Sequence, residues 1–302
     1  MCGIHGILNF ENDEIDYNKF HNSLCSLRHR GPDDYGFVFI NTENKNKVEK
    51  DTIFTDPNVC ESEKSILQIK ERFNLLLGQC RFSIIDLSTA GHQPMFNEDG
   101  SICIVFNGEI LNFKELRRDL EPNHVFKSQS DTEVLLHGYE QWGLNELLKK
   151  LIGFWALVIY DSNKDIIICS RDRFGVKPFF YYYDQKKFIF GSEIKSIYPW
   201  VSVSLNETRI SQYFYFKYPN PSTTFFNEVQ MLPPAYNIII NISNHEMDII
   251  NYWDVPSKNT IYDSFELDSI LKEFAAHFEY SIKINMRSDV PIALFLSGGI
   301  DS

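Results

Sequence analysis

Short apolar runs separated by turn residues fill the first two thirds of the chain, and this pattern is typical of β-strands joined by tight connections. Strands are predicted at 4–10, 37–40, 102–106, 154–160, 165–169, 179–183 and 188–190. Polar turns separate the last four runs, as they do in antiparallel hairpins. The pattern therefore predicts antiparallel sheet.

Helical patterns occur between these strands. Asn112 and Ser130 are each followed three residues later by a glutamate, Glu115 and Glu133. This spacing is the capping box of a helix N-terminus, so we expect a helix directly after each of the two caps. A weaker helical pattern lies at 20–27.

Two stretches depart from the strand and helix patterns. Residues 41–72 are polar and rich in Asn and Lys, which predicts a surface insertion. Residues 211–260 are rich in Pro and aromatic residues, and their adjacent prolines exclude a helix, so they are predicted to be a connector. An amphipathic helix at 264–286 and an apolar strand at 290–296 follow.

The length of 302 residues favours about two domains. We expect the first domain at 2–210, the connector at 211–260 and the beginning of a second domain at 261–302. A hydrophobic fraction of 43% is ample for packed cores and excludes a mainly disordered chain.

The net charge of −12 argues against nucleic acid or an anionic membrane as the main partner. The six cysteines are widely spaced without a Cys-x-x-Cys pair, which favours neither a disulfide framework nor a zinc site. No signal peptide and no apolar stretch of membrane-spanning length are evident. A cytoplasmic protein is therefore expected.

The candidate nucleophile is Cys2. If Met1 is removed, Cys2 carries both a thiol and the free α-amine of the chain, whose ordinary pKa of about 8 suits a base at neutral pH. Gly3 and Gly6 give the backbone room to bend nearby. The alternative is that Cys2 is a small buried apolar residue.

Ten short motifs, the first of which contains Cys2, follow one another along the chain. They span residues 2–4, 30–33, 81–86, 107–110, 130–133, 171–175, 191–193, 232–234, 252–253 and 297–302. In this order they resemble the glutamine-hydrolysing asparagine synthetases, whose front domain is a class II glutamine amidotransferase. The resemblance implies an α+β fold, a four-layer αββα sandwich of the N-terminal nucleophile type, followed by the truncated beginning of an α/β synthetase domain.

For the first domain, the resemblance implies hydrolysis of glutamine to glutamate and ammonia without a cofactor. Cys2 would attack the side-chain amide, with the α-amine as base. Asn107 and Gly108 would donate to the developing oxyanion, a role in which loss of one donor typically costs about 10²–10³ in rate.

Three charged residues would hold the rest of the glutamine molecule. Arg81 can clamp the α-carboxylate bidentately. Glu109 and Asp131 can bind the α-ammonium group. An acid at the position of Asp131 would also offset the dipole of the helix that it begins, and the two roles are compatible.

For the second domain, the resemblance implies a loop that binds the pyrophosphate part of ATP. Its residues are Ser297, Gly298, Gly299, Asp301 and Ser302. The full-length enzyme would use ATP and Mg²⁺ to adenylate aspartate and would amidate the adenylate with the ammonia. No metal ligands are expected in the present chain, which as cut would hydrolyse glutamine at most. Small-molecule substrates are the expected partners, and a homodimer is an expected assembly.

Two alternatives stay open. An amidotransferase of the same architecture could amidate another carboxylate, such as a sugar acid. A catalytically silent regulatory or binding domain could also keep the fold. The sequence departs from the usual family pattern at two places. The family commonly has Gly-His before the carboxylate-binding arginine, whereas this chain has Gly78-Gln79-Cys80-Arg81, and Leu111 stands where Tyr is usual.

Overall fold

The fold was derived from a computed structural model, which describes residues 1–11, 15–44, 72–218, 222–255 and 267–300. Most of the expected insertion at 41–72 lies outside these residues, so its structure stays a prediction. None of the helices in the described part of the chain combines the length and the apolar character that a membrane span requires.

Twelve described strands form two six-stranded sheets in which all pairings are antiparallel. They are β1 (Gly3–Asn9), β2 (Asp34–Ile40), β3 (Leu75–Arg81), β4 (Met95–Phe96), β5 (Ile102–Ile110), β6 (Gly153–Asp161), β7 (Ile166–Arg171), β8 (Phe180–Tyr183), β9 (Lys187–Gly191), β10 (Gln230–Met231), β11 (Tyr236–Asn241) and β12 (Met247–Asn251). The first sheet has the order β10-β8-β9-β1-β3-β2, and the second has the order β12-β11-β7-β6-β5-β4. The predicted antiparallel hairpins are confirmed.

The described residues also contain five α-helices. They are α1 (Tyr17–Cys25), α2 (Phe113–Leu120), α3 (Asp131–Lys150), α4 (Glu207–Phe216) and α5 (Leu267–Asn285). Helix α3 is interrupted at Gly143, whose φ of 73° is left-handed and favours glycine.

Three hydrophobic cores separate four layers. The central core lies between the two sheets and contains Ile4 of β1 and Val105 of β5. A second core packs α1 against the outer face of the first sheet through Phe20. A third core packs α2 and α3 against the outer face of the second sheet and contains Phe106. This arrangement is the αββα sandwich expected from the resemblance.

Both faces of each sheet are covered, which explains the continuous apolar runs in the sequence. Val105 and Phe106 are neighbours in β5, yet they contribute to different cores because side chains alternate along a strand. A strand buried on both faces has no polar side to alternate with its apolar side.

The predicted end of one strand at residue 106 is wrong. Strand β5 continues to Ile110, and Asn107, Gly108 and Glu109 are paired with β6. The motif at 107–110 therefore lies on a rigid strand and not in a loop after it.

The stretch 211–260, expected to be a connector, contains the end of α4 and strands β10, β11 and β12. Strand β11 pairs with β7 and thereby extends the second sheet. Pro233 and Pro234 lie between β10 of the first sheet and β11 of the second, where the chain changes sheets and needs no ladder hydrogen bonds. The prediction of a connector without strands was thus wrong, because the two prolines mark only the point at which the chain passes from one sheet to the other.

One of the two predicted helix caps forms. The Ser130 side chain accepts a hydrogen bond from the N–H of Thr132 at 3.1 Å. Asn112 makes no cap hydrogen bond; its amide donates to the carbonyl of Lys150 and accepts from the N–H of Ile152. Asn112 therefore fastens the start of α2 to the end of α3.

The predicted amphipathic helix is observed as α5, whose expected first three residues lie outside the described part of the chain. The strand expected at 290–296 is wrong: these residues form no described strand, and Phe295 is 99% exposed. A strand needs a neighbour to satisfy its backbone, and the described chain places none beside this segment.

Candidate active site

Cys2 lies just before β1, beside the end of β3. Its Sγ accepts a hydrogen bond from the N–H of Phe82 at 3.3 Å, and its carbonyl accepts one from Nε of Arg30 at 2.9 Å. Arg30 also contacts a carboxylate oxygen of Glu193 at 3.1 Å. Cys2 is therefore held directly by Phe82 and Arg30, and Glu193 supports Arg30 in turn.

Burial raises the pKa of the Cys2 thiol. The hydrogen bond with Phe82 and the nearby positive charges of the chain terminus and Arg81 act in the opposite direction. Met1, which precedes Cys2, is exposed.

Arg81 ends β3, and its side chain is only 5% exposed. Its guanidinium donates to three carbonyl oxygens: Nη2 to Ile85 at 3.0 Å and to Asp86 at 2.6 Å, and Nη1 to Ser88 at 3.3 Å. A Cβ at Gly91 would lie 2.1 Å from Nη2, so only glycine leaves room for this group. The loop after β3 thus sets the position of the guanidinium.

The backbone N–H groups of Phe106, Gly108 and Ile110 point to the same edge of β5, because the direction alternates along a strand. Oε1 of Gln93 accepts from Phe106 at 2.7 Å, and Oδ2 of Asp131 accepts from Ile110 at 2.9 Å. The N–H of Gly108 lies between these two bonds and faces the same space.

Gly108 has no room for a side chain. A Cβ there would lie 2.3 Å from the carbonyl oxygen of Phe154 and 2.3 Å from the ring of Phe106. Close packing, rather than a left-handed conformation, therefore requires glycine.

Asp131 is the first residue of α3 and is 6% exposed. Burial raises the pKa of its carboxyl to about 6, although the hydrogen bond from Ile110 and the charge of Arg81 oppose this shift. The helix N-terminus also favours a negative charge at this position.

One cavity brings four of the predicted residues together: Cys2, Arg81, Gly108 and Asp131 all line it. They come from the chain start, from β3, from β5 and from the start of α3. The cavity thus combines a thiol, a fixed guanidinium, a backbone donor and a buried carboxyl.

Asn107 and Glu109 do not line this cavity. Asn107 is 1% exposed, and neither polar atom of its side chain has a hydrogen-bond partner among the described residues. Burial and the nearby charge of Asp131 raise the pKa of Glu109, while Lys177 acts in the opposite direction. Glu109 is therefore close enough to interact electrostatically with the cavity residues.

The sequence predicted no role for several residues that line the cavity or support the residues lining it. Gln93 joins β5 to α3, since its Nε2 also donates to Oγ1 of Thr132 at 2.8 Å. Gln79 joins the two sheets through a 2.6 Å bond from Nε2 to the carbonyl of Phe106. Arg30 belongs to a motif that carried the resemblance, whereas Gln93 had no such signal.

The other predicted loop is only partly described. Gly298 has a left-handed φ of 77°, and the N–H of Gly299 donates to Oγ of Ser297 at 3.2 Å. This turn of small residues suits the close approach of an anion. Asp301 and Ser302 lie outside the described residues.

Among the described residues, one group has metal-ligand chemistry: His124, His137 and Glu140, whose ligand atoms lie within 4.8 Å of one another. Nδ1 of His137 is already hydrogen-bonded to Glu140 at 2.8 Å. The cluster shares no residue with the cavity.

Comparisons with known proteins agree with this geometry. Residues 64–253 match the glutamine amidotransferase domain family, and residues 273–302 match the asparagine synthase family. A Methanocaldococcus jannaschii protein named as an asparagine synthetase (glutamine-hydrolysing) is 35% identical over 100% of this chain and 55% of its own length. Asparagine synthetase (glutamine-hydrolysing) 2 of Bacillus subtilis is 32% identical over 100% of this chain and 38% of its own length.

A solved structure supports the fold. The glutamine phosphoribosylpyrophosphate amidotransferase of Bacillus subtilis superposes with a TM-score of 0.57 at 18% identity, covering 84% of this chain and 50% of that protein. The chain spans 55% and 38% of the lengths of the two curated relatives named above. It belongs to the glutamine amidotransferase domain family, and from residue 273 it continues into sequence of the asparagine synthase family.

Proposed function

We propose that this chain hydrolyses glutamine to glutamate and ammonia at Cys2. The observation that carries the proposal is the single cavity lined by Cys2, Arg81, Gly108 and Asp131. Each of these groups complements one part of free glutamine, which presents an α-carboxylate, an α-ammonium group and a side-chain amide.

Arg81 binds the α-carboxylate in this proposal. Its guanidinium donates to three carbonyls, which carry no net charge, so its positive charge can still attract the carboxylate of glutamine. Asp131, with Glu109 nearby, balances the α-ammonium group. Both charged groups on the α-carbon of glutamine, the carboxylate and the ammonium, are thereby held by the protein.

The reaction then follows from Cys2. Removal of the exposed Met1 frees the α-amine of Cys2, which takes the thiol proton as Sγ attacks the amide carbon. The N–H of Gly108 and the unpartnered amide of Asn107 donate to the oxyanion. The amine returns its proton to the leaving nitrogen, and ammonia departs as the tetrahedral intermediate collapses to a thioester on Sγ. Water adds to the thioester, releasing glutamate and restoring the thiol.

We place the whole sandwich, as far as Asn251, in the glutaminase domain. Its two sheets are continuous up to β12, which supports a boundary later than residue 210. In the full-length protein, ammonia would serve an ATP-dependent domain that amidates aspartate in the cytoplasm, and Mg²⁺ would accompany ATP. Ser297, Gly298 and Gly299 fit a phosphate-binding turn there, with ATP supplying the energy to activate the carboxylate.

Mass spectrometry after treatment with a glutamine-like electrophile, 6-diazo-5-oxo-norleucine, tests the proposal. We expect one label, on Cys2, in a chain that has lost Met1. Addition of glutamine should slow the labelling, because both compounds need Arg81 and Asp131. Labelling spread over the other thiols, without protection by glutamine, would favour the silent regulatory domain instead.

Glutamine affinity should depend on the ionisation of Asp131. Its carboxyl has a pKa of about 6, so the form that attracts an ammonium group is lost as the pH falls through 6. The raised pKa of Glu109 acts in the same direction. We expect calorimetry with a Cys2→Ala variant, which cannot consume glutamine, to show affinity falling by about tenfold per pH unit below pH 6. Constant affinity between pH 5 and pH 8 would contradict this role of Asp131.

A further inference from the structure

The loop that holds Arg81 receives support from a much later part of the chain. Oδ2 of Asp289 accepts a hydrogen bond from the N–H of Asp86 at 2.8 Å, and the N–H of Asp289 donates to the carbonyl of Ile84 at 2.9 Å. These two bonds lie on either side of Ile85, which itself accepts from Arg81 and lines the cavity. One residue therefore fixes the segment that positions the guanidinium.

The loop needs such support at Asp86. This residue has a left-handed φ of 54°, a conformation that costs free energy in a residue other than glycine. Its carboxylate accepts from the N–H of Ser88 at 3.0 Å and from the N–H of Gln129 at 2.6 Å. Its own N–H is the group that Asp289 binds. Asp289 thus completes the set of contacts that keeps the carbonyl of Asp86 directed at Arg81.

Asp289 is held in place independently of the loop. Two residues earlier, Arg287 forms a two-pronged ion pair with Glu115 of α2, at 2.5 and 2.6 Å, and donates to the carbonyl of Leu111. Such charge-assisted paired bonds fix geometry as well as position. The segment after α5 is therefore attached to the outer helical layer, from which Asp289 reaches the loop.

We propose that Asp289 is a positioning residue for glutamine binding: it holds the 84–88 loop in the shape that orients Arg81 toward the α-carboxylate. This inference rests on the proposed glutaminase function. It also gives the segment between α5 and the Ser297–Gly299 turn a direct physical connection to the glutamine site. The Asp289 carboxylate does not line the cavity, so it acts through Arg81 and not on the substrate.

Asp289→Ala in the complete chain should raise KM for glutamine by about fivefold and change kcat by less than about twofold, because a weakened clamp affects binding before it affects the attack. The side chain of Asp289 is exposed, so its removal leaves no buried cavity. Asp289→Asn keeps an acceptor oxygen and should restore KM. Asp268→Ala, which removes an exposed acid from the first turn of α5, is the matched control and should behave as wild type.

Alkylation of Cys2 by iodoacetamide provides the second readout, since this reagent has no carboxylate for Arg81 to bind. Its rate should be the same in wild type and Asp289→Ala. An unchanged KM in Asp289→Ala would overturn the inference, and so would equal losses of kcat and alkylation rate, which would indicate general damage to the site. Absence of glutamine hydrolysis in wild type would instead refute the proposed function, and the inference would fall with it.

Discussion

Cys2→Ala should lower glutamine hydrolysis by about a thousandfold or more, because it removes the atom that forms the thioester. The fold should survive, since the hydrogen bonds recorded for Sγ among the described residues involve only the backbone of Phe82. Loss of these hydrogen bonds is expected to cost about 1 kcal/mol of unfolding free energy. Glutamate release and thermal unfolding of the same preparation measure both effects.

Cys25→Ala is the matched control for this prediction. Cys25 is also a partly exposed cysteine, but it lies at the end of α1 and does not line the cavity. Its replacement should leave glutamine hydrolysis unchanged. If Cys2→Ala kept the wild-type rate, another residue would have to supply the nucleophile, and the proposed chemistry would be wrong.

The sequence predicted the fold best for strands whose side chains are buried on both faces of a sheet. The run of apolar residues in β5 predicted a strand because both of its faces contact a core, whereas the polar motif at 107–110 concealed the continuation of that strand. Asn107 and Gly108 are poor strand residues by composition. Pairing with β6 outweighs that preference, and this pairing is a tertiary contact that no local pattern contains.

The residues that line the site could be predicted from the sequence, but the hydrogen bonds that hold those residues in place could not. Motifs pointed to Cys2, Arg81 and Asp131, all of which line the cavity. The bonds of Gln93 to Phe106 and of Asp289 to Asp86 join residues 13 and 203 positions apart, respectively. Spacings of this kind follow from the fold, so one sequence alone gives no sign of them.

Asp131→Asn should weaken catalysis and at the same time make the folded protein more stable. We expect kcat/KM for glutamine to fall by about a hundredfold, since truncation of one partner of a buried charge pair costs about 2–5 kcal/mol. The folded protein should nevertheless become more stable at pH 7.5. An asparagine oxygen still accepts the N–H of Ile110, while the buried charge is gone.

The sign of the stability change follows from the pKa. Because the folded protein raises the pKa of Asp131 to about 6, the ionised carboxylate destabilises the fold, and this penalty grows as the pH rises from about 4 to 6. The gain from Asp131→Asn should therefore be about 3 kcal/mol above pH 6, the free energy that corresponds to raising the pKa from 3.8 to about 6, and it should vanish below about pH 4. Thermal unfolding without glutamine across this range measures it.

Asp86→Asn should change stability in the opposite direction to Asp131→Asn, because the pKa of Asp86 is lowered in the folded protein. Burial alone would raise the pKa of Asp86, but hydrogen bonds from Ser88 and Gln129 lower it, so here the folded protein favours the charged form. Its replacement should destabilise the fold at neutral pH, and the loss should shrink as the pH falls below the ordinary pKa of an aspartate. Equal destabilisation by both substitutions would mean that the charge of Asp131 supports the fold, and its assignment to the ammonium group of glutamine would lose its physical basis.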